Sequence, residues 1–153
     1  MSMRSIRIVA AVVASASLSY HAQADEHVIR AIVDHWEPMV TYAKPGDTIK
    51  FMSMLGHDAE TMDGMVPTGA PKWKTKLGEE GFGVTLTKEG AYIYKCNPHM
   101  SMGMVAAVIV GEGVPANLPD IEKKLESVPF GKNMVARAIK KLKQDLVKTG
   151  RMK

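Results

Sequence analysis

Between residues 27 and 110, short segments with strand character alternate with turn chemistry, and no other feature restricts the fold as much. Residues 27–33 are rich in β-branched side chains. Lys44-Pro45-Gly46-Asp47 reads as a turn, because proline fixes one φ and glycine tolerates the conformation that follows. Residues 47–53 then alternate, Ile49 and Phe51 against Thr48 and Lys50. Residues 84–87 are brief, and Lys88-Glu89-Gly90 turns the chain into 91–96. There Tyr92, Tyr94 and Cys96 share one face, and Ala91, Ile93 and Lys95 the other. Residues 104–110 form a continuous apolar run of the kind buried in a sandwich. This rhythm predicts a mainly β chain, an antiparallel β-sandwich of Greek-key type.

The C-terminal fifth has a different period. Residues 115–127 suit a short helix, and 134–148 repeat at helical spacing, with Val135, Ile139, Leu142 and Leu146 on one stripe. Lys140, Lys141, Lys143 and Lys148 fall mostly off that stripe. The pattern predicts a helical tail over about 115–149, packed on the sandwich with a solvated lysine face.

Before the first strand, residues 1–7 hold Arg4 and Arg7 and no acid, residues 8–18 are apolar or small, and Ala22-Gln23-Ala24 offers a cleavage signal. That layout predicts a secretory signal peptide over 1–24, too short in its apolar part to span a bilayer comfortably. Cleavage leaves 129 residues beginning at Asp25, with the net charge lowered from +4 to +2. Residues 25–153 fit one domain, with little room for a second core. An exported chain so mildly basic is not expected to bind nucleic acid.

Export implies an oxidising compartment, yet the chain has one cysteine, Cys96. An inert buried thiol, an intermolecular disulfide and a metal ligand are the three readings. The neighbourhood favours the last: Cys96-Asn97-Pro98-His99-Met100-Ser101-Met102-Gly103-Met104 offers a thiolate, an imidazole and three thioethers. Soft sulfur with imidazole selects copper or zinc over harder cations, and methionine suits copper. Two histidines, one cysteine and a weak axial methionine make a blue-copper site, of which this loop supplies three members. The second imidazole must come from His27, His35 or His57 in the processed chain. His57 follows the alternating strand, at a loop end able to face a second loop. A Cys–His hydrolase is disfavoured, because nothing in the sequence builds an oxyanion site.

At these residues the chain resembles a cupredoxin, and within that class a pseudoazurin. Trp36-Glu37-Pro38, Pro45-Gly46-Asp47-Thr48, Gly56-His57, Glu60-Thr61, Gly64-Met65-Val66-Pro67 and Gly69-Ala70 carry the resemblance. So do Lys95-Cys96, Pro98-His99, Met102-Gly103-Met104-Val105 and Pro115-Ala116-Asn117-Leu118. The resemblance implies a cupredoxin Greek-key β-sandwich with two C-terminal α-helices and one type 1 copper, Cu(I)/Cu(II), on His57, Cys96, His99 and Met104. Met102 competes for the axial place, since its spacing from His99 is similar to that in amicyanin. Two departures stand out: Asp58 where the family has asparagine, and a shorter segment before Trp36.

Four protein ligands leave no open metal position, so the expected activity is one-electron transfer and not catalysis. By resemblance, the electron leaves through His99, within an apolar patch for which Pro98, Met100 and Met65 are candidates. Lys72, Lys74, Lys76 and Lys95 are the expected charged rim. The family suggests a monomer in the periplasm serving a copper nitrite reductase, a cytochrome or a quinoprotein dehydrogenase. The alternative is an exported copper carrier or store, raised by ten methionines after residue 24.

Overall fold

The computed structural model describes residues 23–153. The expected signal peptide lies outside these residues, apart from Gln23 and Ala24 at its end. Two four-stranded sheets face one another. The first runs β2-β1-β4-β6, from β1 (Glu26–Ile32), β2 (His35–Glu37), β4 (Asp47–Met52) and β6 (Gly83–Leu86). The second runs β3-β8-β7-β5, from β3 (Val40–Ala43), β5 (Glu60–Thr61), β7 (Gly90–Lys95) and β8 (Val105–Val110).

The expected β-sandwich is present, but two of its strand pairings are not antiparallel. β1 pairs parallel with β4, and β3 pairs parallel with β8. The cause is a sheet change between neighbours in sequence: β2 pairs with β1, whereas β3 joins the other sheet beside β8. Pro38, without an N–H, stands at that crossing. The helices come where the periodicity puts them, α1 (Leu118–Leu125) and α2 (Lys132–Lys148).

Burial follows three layers. Ile29, Trp36, Ile49, Phe51, Leu86, Tyr92, Tyr94 and Val108 fill the space between the sheets. A second apolar cluster lies on the other side of the second sheet. There Ala91, Ile93, Ala107 and Ile109 meet Ile121, Val135, Ile139, Leu142 and Leu146. β8 therefore buries both faces, which is why its sequence is apolar without alternation. Each such Val or Ile contributes roughly 1.5–3 kcal/mol of burial.

One contact locks the helical layer to the second sheet. Asn117 accepts from the Ala91 N–H at 2.8 Å and donates to the Ala91 carbonyl at 2.8 Å. The neighbouring position must be glycine: a Cβ on Gly90, at φ +133°, would meet Pro67 at 2.7 Å and Asn117 at 2.8 Å.

Candidate metal centre

The site forms at one end of the sandwich, where the loop after β4 meets the loop between β7 and β8. His57 is fixed in the first loop by its own backbone: its N–H donates to the Met54 carbonyl at 2.8 Å, and its carbonyl accepts from Gly78 at 2.8 Å. Glu80 braces the same loop, accepting from the Ser53 and Met54 amides at 2.8 and 2.9 Å. In the second loop the Cys96 N–H donates to the Met104 carbonyl at 3.0 Å, and the Met104 N–H to the His99 carbonyl at 3.2 Å. Gly103, at φ +95°, supplies the left-handed step that lets this short loop return into β8.

These anchors bring His57, Cys96 and His99 together. Cys96 Sγ lies 3.6 Å from His57 Nδ1 and 3.4 Å from His99 Nδ1. All three donor atoms fall within 4.8 Å of one another. The imidazole rings are 4.6 Å apart between centroids, tilted by 39°. Cys96 is fully buried, His57 is 6% exposed, and His99 is half-buried.

The three loop methionines take different environments. Met104 is fully buried in the inter-sheet core cluster that holds Cys96. Met100 packs in the helix-side cluster, where its Cε would lie 2.8 Å from a Cβ on Gly131. Met102 is 54% exposed. The other histidines are elsewhere: His27 bonds Asp47 at 2.7 Å and His35 bonds Asp34 at 3.1 Å.

Electrostatics suit a bound cation. Burial pushes the Cys96 thiol up, while the backbone N–H groups of Asp58 and His99 pull the other way by favouring the thiolate. Burial, then the nearby His99, pushes His57 down, toward the neutral ring that binds metal. Two imidazoles, a thiol that a metal would deprotonate and a buried thioether form a donor set fitted to copper.

Asp58, the departure from the family asparagine, is buried and ties the loops together. Its Oδ1 accepts from the Asn97 backbone N–H at 2.6 Å and its Oδ2 from Asn97 Nδ2 at 2.8 Å. Asn97 Nδ2 also donates to Glu60 at 2.7 Å. This bracing role of Asn97 was missed in the sequence; its signal was a polar residue enclosed between a cysteine and Pro98-His99.

The expected apolar patch needs correction too. Met65 and Met100 are buried core residues, because their side chains turn toward the helical layer. Pro98 is exposed, and the exposed apolar side chains on the two loops are Leu55, at 93%, and Met102. Among the expected rim lysines, Lys72 pairs with Asp63 at 2.8 Å and Lys74 with Glu60 at 3.3 Å. Lys72, Lys74 and Lys95 line a groove of about 520 Å³, together with Lys124 from α1.

Two sheets of this topology, closed at one end by a His–Cys–His cluster, define a cupredoxin metal centre. Residues 35–111 match the family of copper binding proteins described as plastocyanin/azurin, and the chain belongs to that family. Its relatives within that family include pseudoazurins and plastocyanins. The pseudoazurin of Methylorubrum extorquens is 49% identical over 78 residues, 50% of this chain and 52% of that protein. Across the first curated relatives, the matched stretch spans 52% to 64% of their length. The solved structure of a Sinorhizobium pseudoazurin is 34% identical, covering 77% of this chain and 96% of that one, at a TM-score of 0.66. That of Methylobacterium extorquens pseudoazurin is 33% identical, covering 77% and 99%, at 0.62.

Proposed function

We propose that the chain is a blue-copper electron carrier, with one type 1 copper held by His57, Cys96, His99 and Met104. The observation that carries this reading is the approach of both Nδ1 atoms to one buried sulfur, at 3.6 and 3.4 Å. Copper held there would supply a one-electron couple, Cu(I)/Cu(II). Everything else is the work of the protein. The anchored loops hold the donors in place, which limits rearrangement between the two states. The Asp58 and His99 amides stabilise negative charge on the sulfur. Met104, buried beside Cys96 in the same cluster, would be the fourth residue to hold the copper, whereas exposed Met102 would not.

His99 is the one half-buried member of the set and gives the electron its way out. Leu55, Pro98 and Met102 offer a small apolar contact near it, and Lys72, Lys74, Lys76 and Lys95 a charged rim. Such a surface suits a brief encounter with an acidic redox partner, a copper nitrite reductase, cytochrome or quinoprotein dehydrogenase. We place the protein in the periplasm as a single domain over 25–153, acting as a monomer.

A copper store is not favoured. Met54, Met62, Met65, Met100 and Met104 are buried, so they form no exposed thioether cluster for loading and release. Repeated voltammetric cycling of the copper-loaded protein separates the two: a carrier of electrons returns the same wave over many cycles, and a carrier of metal loses it on reduction.

A further inference from the structure

The end of the sandwich remote from the cysteine loop, where β1 begins, holds a second polar cluster. Asp47 is 2% exposed, yet its carboxylate is fully engaged. Oδ1 accepts from the backbone nitrogen of Asp25 at 2.9 Å. Oδ2 accepts from the Lys44 amide at 2.8 Å and meets His27 Nε2 at 2.7 Å. The Asp25 carbonyl in turn accepts from the Thr48 N–H at 2.9 Å, so both sides of residue 25 are held by β4. Gln23 and Ala24, immediately before it, are exposed. The structure thus becomes anchored at the residue that follows Ala22-Gln23-Ala24.

We propose that cleavage after Ala24 creates the group this site is built to bind, the α-ammonium of Asp25, which pairs with the buried Asp47 carboxylate. The inference rests on the exported reading of the chain. Hydrolysis by a leader peptidase adds the hydroxyl of water to the Ala24 carbonyl carbon and a proton to the Asp25 nitrogen. That amine takes a further proton from solvent at neutral pH. Before cleavage the same nitrogen is a neutral amide with one N–H. After it, the nitrogen carries a full positive charge at the same hydrogen-bond distance from a buried anion. Charge-assisted hydrogen bonds are about twice as strong as neutral ones. The gain comes only after the leader is gone, so the precursor is less stable than the processed protein. His27, Lys44, Tyr42, Glu112 and Arg151 line the adjoining cavity of about 130 Å³, which leaves room for the two extra ammonium hydrogens to reach solvent.

Two measurements test this separately. Intact-mass and N-terminal analysis of the exported protein should find Asp25 first; any other start overturns the processing step. Copper-loaded protein beginning at Asp25 is then compared with the same protein acetylated on that nitrogen and with one retaining Gln23-Ala24. The free amine should raise the thermal midpoint by about 3–6 °C over both. In Asp47→Asn, acetylation should make no difference. Should that variant fail to fold, titration of the Asp25 α-amine by NMR serves in its place, with its pKa expected above the ordinary range. Equal midpoints, or an unshifted amine, overturn the pairing even where the cleavage site is right.

Discussion

The Asn97 backbone N–H donates to Asp58 Oδ1 at 2.6 Å, joining the residue after Cys96 to the residue after His57. Two loops far apart in sequence are thereby fixed at the metal centre by a single buried carboxylate.

A negative charge at that place favours Cu(II) over Cu(I). Asp58→Asn keeps one acceptor for Asn97 and removes the charge, so the reduction potential should rise by tens of millivolts, where about 59 mV is a tenfold change in a one-electron equilibrium. Protein-film voltammetry reads it. An unchanged potential would remove Asp58 from the tuning of the site.

The axial assignment separates by the same measurement. Met104→Leu takes away a weak donor that stabilises Cu(II), so the potential should rise and the visible spectrum should change. Met102→Leu, at an exposed position, should alter neither. The opposite pattern would move the axial ligand to Met102.

On the docking face, Lys74→Glu and Lys95→Glu together should slow association with an acidic redox partner, with the difference shrinking as salt is added. Stopped-flow rates at several ionic strengths give the comparison. Lys74 is already paired with Glu60, so Lys95 should account for the larger share. Salt-independent, unchanged rates would reject the lysine rim.

The helical layer packs on the second sheet and also meets the ligand loop, where Met100 lies against Gly131. Leu142→Ala empties a fully buried position and should cost about 2–5 kcal/mol, while the visible spectrum of the copper-loaded protein stays the same. A spectral change would mean that the helix positions the ligand loop directly.

Acid should loosen the end of the fold where β1 begins. Burial alone pushes the Asp47 carboxyl up, but the Lys44 and Asp25 amides and the His27 ring outweigh it and hold it at about 2, below its ordinary 3.8. A depressed carboxylate stabilises the fold above its unfolded value, and that contribution is lost as pH falls from about 4 through about 2. Carbon-13 titration of the Asp47 carboxyl checks the value. A midpoint near 4 would contradict it.

Much of this was legible because burial leaves a period in the sequence. Ile49 and Phe51 alternate in β4 since one face of that strand meets the core, and Val135, Ile139, Leu142 and Leu146 recur at helical spacing for the same reason. β2, β3 and β5, with three, four and two residues, are too short to carry a period. The parallel pairings were hidden because they depend on which distant strand comes alongside. Met65 and Met100 were misplaced because a methionine in a loop suits core and surface equally, and only the helical layer decides. His57, Cys96 and His99 were legible through donor chemistry, whereas the bracing by Asn97 and Glu80 depended on contacts 39 and 26 residues away.

The most direct test is the visible absorption spectrum of the copper(II)-loaded protein beside Cys96→Ser. The account predicts an intense thiolate-to-copper band that bleaches with ascorbate, returns on reoxidation, and is missing from the variant. Copper bound without that band would show that Cys96 is not a ligand, and would contradict the electron-carrier reading.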